Sequence, residues 1–158
     1  MKAIKSVVTI ILLLGMVHVI QAQSVALIPI ERNHGPTFAK LETLGIRSEK
    51  IARAIDLASR QSGISQNFLI ALMWTESAGK QHAVSSMGYK GLMQIPWPVY
   101  YEDANIIIGA HIFNEKMRQA NSLENAICLY KGYKVGSERG LQQARKVLTL
   151  YDQLSEAS

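Results

Sequence analysis

The run Phe68-Leu69-Ile70-Ala71-Leu72-Met73-Trp74-Thr75-Glu76-Ser77 is helix-patterned and ends on one acid, and the residues after it, Ser77 to Tyr101, contain no Asp or Glu. Phe68, Leu69, Leu72 and Met73 recur at helical spacing. Glu76 lies i+4 from Leu72 and i+3 from Met73, so it projects from the core-facing stripe. The acid-free stretch carries Ser85-Ser86-Met87-Gly88 and Gly91-Leu92-Met93-Gln94-Ile95-Pro96. Its Gly79, Gly88, Gly91, Pro96 and Pro98 break the helical period and predict a loop or a small two-stranded sheet. A carboxyl at the end of an apolar helix, facing Ser, Gly and amide groups, is the arrangement of an acid/base that works without a carboxylate partner.

Helical patterns flank this centre on both sides. Ser48 is placed to cap a helix with Ile51, Ala54, Ile55 and Ala58 on its apolar side, ending before Gly63, and Ser65 to cap the helix that carries Glu76. After the insert, Asp103 opens a helix with Ile106, Ile107, Ala110, Phe113 and Met117 inward. Ser122 caps a shorter one through Ala126, Ile127, Leu129 and Tyr130. Ser137 caps a last one with Leu141, Ala144, Leu148 and Tyr151. Residues 23–45, with Pro29, Gly35, Pro36 and Gly45, read as an irregular lead-in with one short helix near Thr37–Thr43. The expected fold is mainly α, a helical domain over 46–158 with a small loop or β insert after the helix that ends at Glu76.

The N-terminus reads differently. Lys2 and Lys5 precede a nearly unbroken apolar run, Val7 to Ile20, and Ala22 offers a small residue at a cleavage point. This is the pattern of a signal peptide over 1–22, and the run is short for a bilayer span. Ile20 fits the position three before the cut less well than Ala, which leaves an uncleaved anchor open. Loss of residues 1–22 removes two lysines and no acid, lowering the net charge from +5 to +3. A mildly basic exported domain is drawn toward an anionic polymer such as a cell wall. The chain has no Lys/Arg cluster with interleaved aromatics, so nucleic acid is not an expected partner. Cys128 is the only cysteine, which excludes an intrachain disulfide, and its apolar neighbours make it a buried small hydrophobe.

Glycosidic cleavage needs a protonated acid at the leaving oxygen and a group that quenches the oxocarbenium-like charge. Burial of Glu76 would raise its pKa and let it hold a proton near neutral pH. Asp56, Glu102 and Asp103 remain candidates for a second acid if folding brings one of them near. Periodicity alone favours a solvated helix-end acid capped by Ser77, because structural acids outnumber catalytic ones.

A series of motifs reverses that balance. Glu76-Ser77, Ala83-Val84-Ser85, Gly88, Gly91-Leu92-Met93-Gln94-Ile95-Pro96, Asn105 with Gly109, and Tyr130 stand in an order and spacing that resembles the catalytic domain of the soluble lytic transglycosylases, across roughly residues 65–140. The resemblance implies a lysozyme-like α+β fold and cleavage of peptidoglycan glycan strands between N-acetylmuramic acid and N-acetylglucosamine. It implies a 1,6-anhydro ring in place of hydrolysis, and neither metal nor organic cofactor. Within it, Glu76 matches the sole catalytic acid/base and Ser77 supports the start of the loop. Ser85 orients the acetamido group or the acid. Gly91, Leu92, Met93 and Gln94 line the sugar groove, with Gln94 able to bond substrate or Glu76, and the Tyr130 hydroxyl lies near the acid. Small single-domain forms of this kind resemble accessory enzymes of envelope-spanning secretion, pilus or conjugation machines, and phage-borne wall-entry enzymes are equally compatible. The expected location is the periplasm or cell envelope, or outside the cell.

The chain departs from the family at Tyr130-Lys131-Gly132-Tyr133, where a Y-N-A-G block is expected, and at Gly79 and Gln81. Lys131 reads either as a solvated helix-end cation or as a partner for a substrate carboxylate. His82 and His111 have no second ligand at metal spacing. Trp74 reads as core, and Trp97 between two prolines is the better sugar-stacking candidate. Two rival readings stay open: a hydrolase of the same fold with a second carboxylate, and a non-catalytic wall-binding protein.

Overall fold

The computed structural model describes residues 35–157; the expected signal peptide (1–22) and residues 23–34 of the expected lead-in (23–45) lie outside them. Among the described residues there are six helices: α1 Pro36–Thr43, α2 Glu49–Ser62, α3 Gln66–Ser77, α4 Glu102–Gln119, α5 Leu123–Tyr130 and α6 Glu138–Glu156. The mainly α, lysozyme-like class expected from the periodicity and the motifs is the class observed.

Each of the four serine caps forms. Ser48, Ser65, Ser122 and Ser137 accept hydrogen bonds from the backbone N–H of Ile51, Phe68, Asn125 and Gly140, respectively. Each such bond satisfies a donor that the first helical turn leaves unpaired, worth about 1 kcal/mol. Gly63 ends α2 in the left-handed region at φ 74°, a conformation that costs glycine least. The lead-in helix packs into the core through Thr37, Phe38 and Leu41. Leu41 is fully buried, Phe38 nearly so, and the Thr37 hydroxyl donates to Asp56 on α2 at 2.6 Å.

The sequence reading gave α3 one buried face; the structure buries it all round. Phe68 through Met73, including Ile70 and Ala71, are all in the core. A helix apolar on every side belongs at the centre of a bundle. Accordingly α3 contacts α1, α2 and α6, while α2 packs along α4 and α6 against α5. Trp74 is half-buried at the edge of that core rather than inside it.

The insert between α3 and α4 is a turn-rich loop held by two isolated antiparallel bridges, Val84 with Lys90 and Lys90 with Ile95. Lys90 and Ile95 exchange N–H···O bonds of 2.9 and 3.0 Å, and Gln81 Nε2 donates to the Tyr100 carbonyl at 2.7 Å, tying the two ends of the loop. The insert hangs on α4 through Asn105, whose Oδ1 accepts from Met93 N–H at 2.8 Å. Its Nδ2 donates to the carbonyls of Val99 (2.6 Å) and Lys90 (3.2 Å). Gly91 and Gly109 complete the attachment. A Cβ on Gly91, at φ 80°, would lie 2.2 Å from Asn105 Nδ2, and one on Gly109 would lie 2.5 Å from Met93 Cβ. The Asn105/Gly109 pair of the motif series is therefore the device that docks the Gly91–Ile95 loop on the helical core.

Candidate active site

Glu76 occupies the last turn of α3, one residue before the helix ends. The chain then reverses through Ala78 (φ 51°) and Gly79 (φ 75°). Ala78 stands in the left-handed region at a cost of about 1 kcal/mol for a residue with a Cβ. Gly79 must stay glycine, since a Cβ there would meet Ile46 Cδ1 at 2.5 Å. Ser77 is buried; its Oγ donates to the Met73 carbonyl at 3.2 Å and accepts from Gly79 N–H at 3.2 Å, so it shapes this reversal.

Opposite Glu76 stands the end of α5. An aromatic series, Tyr151 on Phe68, Phe68 on Phe113 and Phe113 on Tyr130, runs through the core and fixes the last residue of that helix. The Tyr130 hydroxyl donates to the Met93 carbonyl at 2.7 Å, linking α5 to the insert loop. Burial pushes the Tyr130 phenol well above its ordinary range, and the negative charge of Glu76 pushes it further, so it stays protonated and remains a donor.

Lys131, the next residue, provides the main charge in the site. Its Nζ donates to Glu76 Oε1 at 2.7 Å and lies 3.5 Å from the Thr75 carbonyl. The Lys131 side chain is 6% exposed and that of Glu76 13%. Lys131 is thus neither the solvated helix-end cation nor the free partner for a substrate carboxylate expected from sequence. The departure from the family block marked the right position, but the direction of a long side chain is not legible in sequence. Burial raises the Glu76 carboxyl above the ordinary range, and the Lys131 ammonium, by charge and by hydrogen bond, opposes part of that rise.

The other expected site residues have these positions. Ser85 is half-buried in the 85–88 turn, where its Oγ accepts from Tyr89 N–H at 3.0 Å. Gln94, at φ 49°, turns its amide inward, and Nε2 donates to the carbonyls of Gly91 (2.8 Å) and Ala83 (3.2 Å). Neither is hydrogen bonded to Glu76. Leu92 and Met93 are fully buried, and Gly91 is buried against Asn105. The expected groove lining by Leu92 and Met93 side chains is corrected to a core role, because the Asn105 clamp draws this turn into the bundle. The Trp97 side chain is exposed on the insert, as are Val84 and Met87.

None of the three candidate second acids is hydrogen bonded to Glu76. Asp56 Oδ1 accepts from Thr37 Oγ1 and from Gln66 Nε2 (2.8 Å), joining α1, α2 and α3. Glu102 and Asp103 line a recess of about 400 Å³ with Lys50, Arg53 and Tyr101, and Glu76 is not among its lining residues. No group of three His, Cys, Asp or Glu among the described residues is placed to hold a metal ion.

The site is thus a largely buried acid at the end of the central helix of a mainly α, lysozyme-like domain, paired with Lys131 from the end of α5. Residues 53–97, which take in α2 from Arg53 on, α3 and most of the insert, match the family model of the transglycosylase SLT domain, and this match supports the soluble lytic transglycosylase family for the chain. It indicates a lysozyme-like, peptidoglycan-acting activity. No curated protein matches the chain.

Proposed function

We propose that the protein is a peptidoglycan lytic transglycosylase that cleaves the β-1,4 bond between N-acetylmuramic acid and N-acetylglucosamine and leaves 1,6-anhydro ends. The observation that carries this reading is Glu76 itself: a buried carboxyl raised above its ordinary range, faced by an ammonium and a phenol instead of a second carboxylate. With its proton held, Glu76 donates to the glycosidic oxygen as the C1–O bond breaks. As carboxylate it then takes the proton of the muramyl 6-hydroxyl, whose oxygen bonds to C1 and closes the anhydro ring. No water is consumed, and one residue is acid and then base.

Export to the periplasm or cell envelope, read from residues 1–22, belongs to the same proposal. So does service to a secretion, pilus or conjugation machine, or to phage entry. The hydrogen bonds of Asp56 to Thr37 and Gln66 weigh against that residue as the free carboxylate a hydrolase needs to activate water.

Mass analysis of soluble products from purified sacculi tests the reading, with the protein and its Glu76→Gln variant side by side. Muropeptides one water lighter than the hydrolysed form, absent with the variant, are expected. Hydrated reducing ends would establish a hydrolase, and no products at all would favour the wall-binding rival.

A further inference from the structure

The Glu76–Lys131 pair has no role in the reaction written above, and it is the most buried ion pair among those formed by the described residues. Taking an ammonium out of water costs several kcal/mol unless a partner offsets it. Lys131 is only 6% exposed and its hydrogen bonds go to the Glu76 carboxylate and the Thr75 carbonyl. Both acceptors lie in the last turn of α3, so the ammonium grips the segment that carries the acid and limits the positions that the Glu76 side chain can take.

We propose that Lys131 is a positioning residue for this site, one that fixes the Glu76 carboxyl by its buried ion pair and sets the pH range in which Glu76 can hold and give up its proton. The inference rests on the reading of Glu76 as the acid of glycan cleavage.

Two effects oppose each other at Glu76: burial favours the neutral acid and Lys131 favours the carboxylate. Glu76 at once needs a proton for bond breaking and a bare carboxylate for ring closure. A cation at 2.7 Å makes the acid a stronger donor and the carboxylate a weaker base. The charged and titratable groups that face Glu76 are Lys131 and the Tyr130 phenol, both from the end of α5. From α6, Arg145 and Lys146 line a separate recess with Trp74 and Thr75, and Asp56 of α2 is turned to Thr37 and Gln66. From the insert, the Tyr89 and Lys90 backbones are bound within the loop, and the His82 ring packs on Tyr100.

The test follows the side-chain carboxyl carbon of Glu76 by 13C NMR across pH in the full chain, in Lys131→Met and in Lys131→Arg, with product release from sacculi measured over the same range. Loss of the cation leaves burial unopposed. The Glu76 midpoint in Lys131→Met should therefore move to higher pH, and the alkaline limb of the activity profile should move with it. Above the midpoint, each pH unit of that move raises the protonated fraction about tenfold. Lys131→Arg, which keeps a charge, should stay nearer the parent. Lys131→Gln serves if the Met variant does not fold, since a neutral amide also removes the charge. A midpoint unmoved in a folded neutral variant overturns the inference, whether or not sacculi are cleaved. A moved midpoint with no products from any of the proteins supports the role of the pair and overturns the functional reading instead.

Discussion

Truncation of Asn105 to Ala should cost the protein about 4 kcal/mol. Asn105 is 1% exposed and makes three hydrogen bonds, from Met93 N–H at 2.8 Å and to the carbonyls of Val99 at 2.6 Å and Lys90 at 3.2 Å. The Lys90 carbonyl keeps a partner, because Ile95 N–H also donates to it. Met93 N–H, in a buried residue, would be left unpaired at about 1–3 kcal/mol, and the half-buried Val99 carbonyl and the Lys90 carbonyl would each lose a bond worth about 1 kcal/mol. Urea unfolding followed by circular dichroism gives the loss as a lower midpoint at unchanged slope. Asn105→Asp sharpens the test, since it keeps the acceptor for Met93 and removes both donors. A buried Asp facing two carbonyls is stabilised by its proton, so its folded pKa lies above the unfolded value of about 3.9. Stability held by that proton is fully present below the unfolded pKa and lost as pH rises through the folded one. Relative to the parent, Asn105→Asp should weaken on going from acid to neutral pH. A loss below about 1 kcal/mol for Asn105→Ala, or an Asp variant that gains on the parent with rising pH, would refute the clamp, since an unsatisfied buried pair costs more than that.

Further expectations can be checked with the same assays. The folded pKa of Glu76 is raised, so its contribution to stability is present below the unfolded pKa and falls as pH rises through the folded midpoint. The stability difference between parent and Glu76→Gln should therefore shift against the parent as pH rises, and a shift in its favour would contradict the raised carboxyl. Asp56→Ala loses the bonds to Thr37 and Gln66 and should unfold about 1–3 kcal/mol more easily, while product formation per folded molecule stays at the parent level. A loss of activity comparable to that of Glu76→Gln would restore the hydrolase reading. Gly109→Ala drives a Cβ to 2.5 Å from Met93 Cβ and should cost about 1–3 kcal/mol, read as a lower melting temperature.

Local signals were legible because they are local. A serine before an apolar period caps a helix whatever the rest of the chain does, and Ser48, Ser65, Ser122 and Ser137 all do so. The break of period after Glu76 is likewise carried by glycines and prolines, so the position of the insert followed from sequence. The motif series placed Glu76 at the end of the central helix and put Asn105 four residues before Gly109, a spacing that sets both on one helix face.

What the tertiary structure decided is which side chains meet. Leu92 and Met93 stand in a motif that suggests a groove, but Asn105 on α4, which accepts from Met93 N–H and donates to the Lys90 and Val99 carbonyls, docks their loop so that both side chains are core. Gln94 spends its amide donor within the insert, on the carbonyls of Gly91 and Ala83. Lys131 follows a helix end, where sequence leaves a solvated cation or a partner for a substrate carboxylate. Only the packing of α5 against the end of α3, set by the aromatic series through Phe113, carries its ammonium to Glu76, 55 residues earlier in the chain. The sequence by itself determined the helices, their caps and the one acid at the centre. The charge that faces that acid was decided by the fold, because the reach of a flexible four-carbon side chain is set by contacts distant in sequence and by no periodicity within it.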